Sequence, residues 1–477
     1  MEISNFQKTK ILATVGPSSS NYSTLLGLVK AGVDAFRLNF SHGTHEGHLK
    51  VFEYIQYINK KYKTNISILA DLQGPKLRVG EIENGKMPLK KGDILTFVNE
   101  PCIGNSEKIY MSYTQFAKDV KVGEKVLIDD GNIQLLVKET NGTDEVKLEV
   151  LYGEFLYSRK GVNLPQTNVS LPSLTEKDLR DLDFILNHDF NWIALSFVRS
   201  PKDIYDLRKR IQARKSRAMI IAKIEKPEAI ENIDGIIEAT DGVMVARGDL
   251  GVEVPMQRLP TLQKMIIEKC IKKAKPVIVA TQMMDSMIKN PTPTRAEIID
   301  VANAVIDGAD VVMLSGETAM GIHPIKVVES MNDIIVEAEK MDSVYYKHLT
   351  PSEKSDSFLS DAICYNSCRI ARQVDAKCII GMTKSGYTAF MVSSYRPRQS
   401  IFIFSSDENM LNTLSLVWGI RCFYYDKYTS TDDTIKDVQN LLVEGGHLKK
   451  GDIVINTGSM PLHERKKTNM LKISVIE

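Results

Sequence analysis

The sequence predicts an α/β chain built on a closed (β/α)8 TIM-type barrel, with a small β-barrel lid domain inserted into it and a C-terminal α/β domain after it. Three observations carry this prediction. Eight short apolar runs alternate with helical patterns, most of the runs finish in polar residues able to do chemistry, and one connection spans about a hundred residues that read as β structure.

The runs, in order, cover residues 10–16, 35–40, 67–73, 192–198, 219–225, 242–249, 277–283 and 310–317. Segments such as 256–274 and 296–306 place apolar residues at i, i+3 and i+4, the helical period. Strands that are apolar throughout, separated by helices, describe a parallel sheet buried on both faces. Eight such units favour a closed barrel; an open doubly wound sheet is the competing arrangement. The polar ends are Arg37-Asn39-Ser41, Asp71-Gln73, Lys223-Glu225, Arg247-Asp249, Thr281 and Ser315-Glu317. Several are i, i+2 pairs, which on a strand share one face, and barrels of this kind gather their active sites at the C-terminal strand ends.

Residues 1–74 and 172–345 form the barrel in this reading, interrupted by a lid over 75–171. The lid strands are expected at 94–99, 125–130, 134–140 and 145–153, with Asp130-Gly131 and Asn141-Gly142 as turns. An insertion at the catalytic mouth suits a lid that excludes water, and its hinges carry four basic residues, Lys76, Arg78, Arg159 and Lys160. Residues 346–477 form the last domain, with a helix over 357–374 and strands over 378–383, 400–406, 452–458 and 472–477.

Composition excludes several classes. A net charge of +1 gives no bulk argument for nucleic acid or for an anionic membrane. The first ten residues have no apolar signal region and no run approaches membrane-spanning length, so a cytoplasmic protein is expected. Six scattered cysteines, with only Cys364 and Cys368 close together, describe buried thiols rather than a metal site.

Glu225 and Asp249, at the ends of adjacent runs, can hold Mg²⁺, which takes few protein ligands. Lys223 can stabilise negative charge on a transferring phosphoryl group or an enolate. Gly248 lets backbone N–H groups approach an anion, Arg37 offers a donor fork to phosphate, and Thr281 and Ser315 offer hydroxyls for proton relay. The site is thus polyanionic and metal-dependent, with a buried Lys223–Glu225 ion pair as the alternative. Thr44 is a helix N-cap, which leaves His45 and His48 as surface residues and His42 better placed to meet a ligand. No Walker A loop occurs. Thr383, Lys384, Ser385, Gly386 and Thr388 join a strand to a helix as a phosphate nest or a plain capped turn.

The segments TKILATVGPSS (9–19), FRLNFSHG (36–43), RKGVNLP (159–165), MVARGDLGVEVP (244–255), ATQMMDSM (280–287), NPTPTRAE (290–297) and MLSGETAMG (313–321), in this order, resemble the pyruvate kinase family from end to end. The resemblance implies transfer of the phosphoryl group of phosphoenolpyruvate to ADP, giving pyruvate and ATP. It implies Mg²⁺, with Mn²⁺ as a substitute, on Glu225 and Asp249, and a substrate pocket of Arg37, Lys223, Gly248, Asp249 and Thr281. Arg37, His42, Arg78 and Lys160 match nucleotide-side positions, and Ser315 a hydroxyl of the proton-delivery network. Many members bind potassium; the matching pocket here is Asn39, Ser41, Asp71 and the Leu72 carbonyl, beside Lys76 where those members carry glutamate. The Lys76 ammonium is therefore expected to replace potassium, with a solvated hinge residue as the alternative. The resemblance further implies a homotetramer and a phosphometabolite effector, although loop 457–461 lacks the aromatic or basic residue of fructose-bisphosphate-regulated members. A Mg²⁺-dependent lyase using a pyruvate enolate and a silent regulatory paralogue are the competing functions.

Overall fold

The computed structural model describes residues 7–347, 350–353, 355–427, 430–459 and 467–477, so Met460 and Pro461 of the late loop lie outside the described residues. Eight parallel strands close a barrel: β1 (Lys10–Thr14), β2 (Ala35–Asn39), β3 (Ser67–Asp71), β4 (Trp192–Leu195), β5 (Met219–Ile224), β6 (Gly242–Ala246), β7 (Val277–Ala280) and β8 (Val311–Leu314). The ring runs in chain order and closes where β1 pairs with β8. Nearly every strand residue is buried, because one side of each strand fills the barrel and the other meets the helices.

Two polar ends differ from expectation. Arg247, Gly248 and Asp249 lie on a short helix, Arg247–Glu253, and Ser315-Glu317 straddles the start of another, Gly316–Ala319. Strands β6 and β8 stop at Ala246 and Leu314, so the two-residue strand period does not align these pairs.

The insertion between β3 and β4 has its own apolar core, separate from that of the barrel. Strands Ile94–Val98, Lys125–Ile128, Ile133–Thr140 and Glu145–Tyr152 stand where the sequence placed them, joined by the short strands Ile109–Tyr110 and Val162–Asn163 into one six-stranded sheet. Arg78 bridges Gly161 at one edge of the sheet and Val79 bridges Met111 at the other. One two-residue segment thus curls the sheet shut. At the base of the lid, the Gly74 N–H donates to Asp178 Oδ1 at 3.1 Å, and Asp178 is also the capping-box residue of helix Glu176–Leu186 just after the lid. Gly74 has φ +68°, and a Cβ there would lie 2.8 Å from the Phe197 ring. Only glycine fits.

The C-terminal domain holds a five-stranded sheet in the order Ile420–Tyr424, Ser400–Ser405, Cys378–Met382, Ile453–Gly458 and Met470–Val475, the last strand antiparallel. It shares one core with the barrel. Leu416 packs with Leu12, Trp192 and Met244 inside the barrel, and the Trp192 indole donates to the Thr413 carbonyl at 3.1 Å. This domain therefore plugs the N-terminal end of the barrel, opposite the lid. The buried Arg396 clamps the seam, with Nη2 at 2.8 Å from Asp310 Oδ2 and 2.9 Å from the Gly308 carbonyl. All six cysteines are free, and Cys364 and Cys368 are buried on one helix face.

Candidate active site

At the mouth of the barrel, β2, β3 and β5 bring four charged side chains together. Asp71, closing β3 and about 1% exposed, accepts from Arg37 Nε at 2.6 Å and faces Lys223 Nζ at 3.3 Å. Lys223 also donates to Glu225 Oε1 at 2.9 Å and to Ser196 Oγ at 2.7 Å. The second Glu225 oxygen accepts from the Phe197 N–H at 2.7 Å. Arg37 is further fixed by Thr14 Oγ1 at 3.1 Å. The result is an alternating acid–base chain, Arg37–Asp71–Lys223–Glu225, in which every member has a defined partner.

Burial alone would lower the Lys223 pKa, but Asp71 and Glu225 reverse this and hold it above the ordinary lysine value. Burial also works to raise the Asp71 carboxyl, yet Lys223 and Arg37 prevail and keep it below the usual range. Glu225 is pushed up by burial, opposed by Lys223, and the charge of Asp249 pushes it further. A buried carboxyl group whose ionisation is opposed by a second carboxylate is what a divalent cation would neutralise. Glu225 and Asp249 therefore fit Mg²⁺, a hard ion content with one or two carboxylates and otherwise water and substrate oxygens. No cluster of three or more His, Cys, Asp or Glu with metal-site geometry occurs among the described residues.

Thr281 follows β7 with φ +69°, a left-handed conformation that a β-branched residue rarely holds. Its Oγ1 accepts from the Gly248 N–H at 2.7 Å, and a Cβ on Gly248 would lie 3.3 Å from that oxygen. Arg247 locks this turn by donating to the Thr281 carbonyl at 2.7 Å and pairing with Asp300 at 2.8 Å. Ser315 is half-buried, and its N–H donates to the buried Glu317 at 2.7 Å.

Of the four lid bases, three are engaged within the lid. Arg159 pairs with Glu81, Lys160 with Asp129 at 2.8 Å, and Arg78 donates to the Arg159 carbonyl at 2.9 Å. The fold of the lid sets Arg159 and Lys160 opposite lid acids, which no reading along the chain can register. Lys76 is exposed and makes no ion pair among the described residues; it lines the cleft between lid and barrel with Asp130, Asn163, Phe197, Asp249 and Glu253. Of the residues that the resemblance matches to a cation pocket, Asn39 Oδ1 accepts from the Ser41 N–H at 3.1 Å and the Leu72 carbonyl accepts from Ser196 Oγ at 2.7 Å.

His42 is exposed, but His45 and His48, expected on the surface, are half-buried. His45 stacks on Phe184 at 4.5 Å and bonds Asp181 at 2.8 Å, while His48 packs on Phe40 at 4.4 Å, because the helix they start lies over aromatic neighbours. In the last domain the Gly386 N–H donates to Thr383 Oγ1 at 2.9 Å and Thr388 Oγ1 meets Thr468 Oγ1 at 2.6 Å, leaving Lys384 and Ser385 exposed on the turn.

Sequence reading passed over Ser196, Phe197, Asn163 and Glu253. Ser196 had a signal, being the one polar residue within the run at 192–198. Glu253 is 4% exposed and accepts from Lys226 at 2.6 Å and from Asn163 Nδ2 of the lid at 2.8 Å, so it ties the lid to the helix carrying Asp249.

Comparison with known proteins agrees with this architecture. The pyruvate kinase barrel domain profile matches residues 6–328 and the pyruvate kinase alpha/beta domain profile residues 361–474. The chain is 41% identical to a pyruvate kinase of Clostridium acetobutylicum over 476 residues, covering 99% of this chain and 100% of that protein. It is also 41% identical to one from Geobacillus stearothermophilus over 477 residues, covering 98% of this chain and 80% of that protein. A crystal structure of a pyruvate kinase from Cryptosporidium parvum superposes with a TM-score of 0.92 at 37% identity, covering 99% of this chain and 96% of that one. With both domain profiles and near full-length relatives in agreement, the chain belongs to the pyruvate kinase family and is an enzyme of it.

Proposed function

We propose that the enzyme transfers the phosphoryl group of phosphoenolpyruvate to ADP, giving pyruvate and ATP, with Mg²⁺ bound and without need of potassium. The observation that carries the reading is the Arg37–Asp71–Lys223–Glu225 chain at the barrel mouth beneath the lid. Arg37, held by Asp71 and Thr14, presents its remaining donors to the transferring phosphate. Lys223 stabilises charge on the phosphoryl group and then on the enolate. The Gly248 N–H and Thr281 hydroxyl receive the substrate carboxylate, and Ser315 serves the path by which the enolate carbon gains its proton. When bound on Glu225 and Asp249, Mg²⁺ supplies Lewis-acid stabilisation of oxygen anions. His42, Arg78 and Lys160 take the nucleotide side as the lid closes and excludes water.

Lys76 supplies the monovalent positive charge. Its ammonium is exposed and uncommitted on the hinge, and supports the reading because lid closure can carry it toward Asp71. Thr383, Lys384, Ser385, Gly386 and Thr388 receive the phosphate of an effector. The enzyme works in the cytoplasm as a homotetramer with barrel and C-terminal contacts, for which the exposed Ile473 and Val475 on the edge strand Met470–Val475 offer an apolar face. No helix among the described residues is long and apolar enough to cross a membrane.

The test is pyruvate formation from phosphoenolpyruvate and ADP with Mg²⁺ in tetramethylammonium buffer, with and without potassium. Full turnover in both buffers is expected, and Lys76→Glu should make turnover depend on added potassium. Turnover of the unaltered enzyme only with potassium would remove Lys76 from the mechanism, and no pyruvate in either buffer would remove the reaction itself. A smaller effect is expected at the lid tie. Asn163→Ala deletes a hydrogen bond to a carboxylate, and loosening the lid should raise KM about fivefold with an unchanged thermal midpoint. Equal KM in both proteins would show that this bond does not bias closure.

A further inference from the structure

Helix Phe358–Gln373 carries Tyr365, Cys368, Arg369 and Arg372 at i, i+3, i+4 and i+7, so they share one face. With Tyr346 and Tyr395 they line an open cavity of ≈ 660 Å³, a volume within the usual range of small-molecule sites. Two guanidinium groups stand in its wall and no carboxylate does. The Arg372 guanidinium lies 4.5 Å over the Tyr346 ring and that of Arg369 5.7 Å from the Tyr365 ring. Neither arginine has an ion-pair partner among the described residues. Tyr365 meets Tyr395 edge to face at 5.4 Å, which makes one wall of the cavity aromatic.

Tyr346 is held there against its backbone preference. Its φ is +53°, a left-handed conformation that a bulky aromatic residue rarely adopts. The Arg396 carbonyl accepts from its N–H at 2.8 Å, and its hydroxyl lies 3.1 Å from Gln399 Oε1. Strain of this kind persists where surrounding structure enforces it, and it collects at ligand sites. Cys368 is not a reactive group in this wall, since burial pushes its thiol pKa well above the ordinary value.

We propose that this cavity binds a planar organic anion, its ring against the tyrosine faces and its phosphate or carboxylate on the Arg369 and Arg372 forks. Arg side chains already stacked on aromatic rings keep their in-plane donors free for bidentate anion recognition. A nucleoside monophosphate and an aromatic carboxylate share this chemistry. The site is separate from the turn at Thr383–Thr388, which offers hydroxyls and backbone N–H groups. Tyr346 stands on the connector between barrel and last domain, and its N–H partner Arg396 clamps Asp310 of the barrel. Occupancy therefore bears on the seam between the two domains.

Titration calorimetry on the full-length enzyme tests this with three probes: AMP, benzoate and ribose 5-phosphate. One of the two ring-bearing anions should bind with Kd of about 1 mM or tighter, and which of them does so identifies the source. The double variant Arg369→Gln/Arg372→Gln should weaken that binding at least about tenfold while turnover without the probe is unchanged. Ribose 5-phosphate should not compete, and Lys384→Gln should leave the affinity as it is. Absence of binding by both ring-bearing probes, binding that survives the double variant, or binding abolished instead by Lys384→Gln would each overturn the proposal.

Discussion

Replacing Lys223 with methionine is expected to lower turnover by about 10³-fold or more. The ammonium lies 3.3 Å from Asp71 and 2.9 Å from Glu225, and no neighbouring cation can move into its place, because Arg37 is already fixed by Asp71 and Thr14. The substitution also takes the cation away from the buried Glu225 and leaves Asp71 with Arg37 alone, a defect that costs about 3–5 kcal/mol where one partner of a buried pair is lost. Steady-state kinetics and urea unfolding separate the two consequences. Lys223→Arg keeps the charge and should restore most of the stability, but its planar fork does not reproduce a point charge and turnover should stay low. A Lys223→Met enzyme within tenfold of the parent rate would remove this residue from the chemistry. The folded pKa of Lys223 stands above the ordinary lysine value. The ammonium is therefore charged throughout the neutral range, its stabilisation is lost only as pH rises through that folded value, and no fall in rate at mildly alkaline pH should arise from it.

The second large effect is on stability. Arg396→Met should destabilise the enzyme by about 3–5 kcal/mol, read as a lower urea midpoint. Arg396 is 1% exposed and bonds Asp310 at 2.8 Å, the Gly308 carbonyl at 2.9 Å and the Ser393 carbonyl at 3.0 Å. Asp310 also accepts from the Val277 and Trp418 N–H groups at 3.0 and 3.2 Å, so its carboxyl group stays held in the buried seam when the guanidinium is gone. Since barrel and last domain share one core, the loss should appear as one cooperative transition. A shift below about 1 kcal/mol would mean that the pair is worth no more than an exposed one.

The barrel was legible in the sequence because strands covered on both faces leave uninterrupted apolar runs. The strand Ile420–Tyr424 was not, since it lies at the sheet edge and is mostly half-exposed. The helices Arg247–Glu253 and Gly316–Ala319 were read as strand ends, being too short to develop an apolar period. In the site, Arg37, Asp71, Lys223 and Glu225 could be singled out as polar residues closing apolar runs. Their alternation could not, because it depends on how neighbouring strands align. Lys160 and Arg159 illustrate the same limit: their partners Asp129 and Glu81 are set by pairing within the lid.

The single carboxylate of Asp178 at the base of the lid has a consequence for how the chain folds. It joins Gly74 to the first turn of the helix at Glu176, so the roughly hundred residues between them form a closed excursion. Closing a loop of that length costs only about 0.6 kcal/mol more for each doubling over a shorter crossover. The excursion also carries its own apolar core, so it can order independently of the ring that must close between β1 and β8. For the barrel, the insertion is then a long stitch drawn tight at one point, and the strands on either side of it, β3 and β4, can pair as though they were neighbours in sequence.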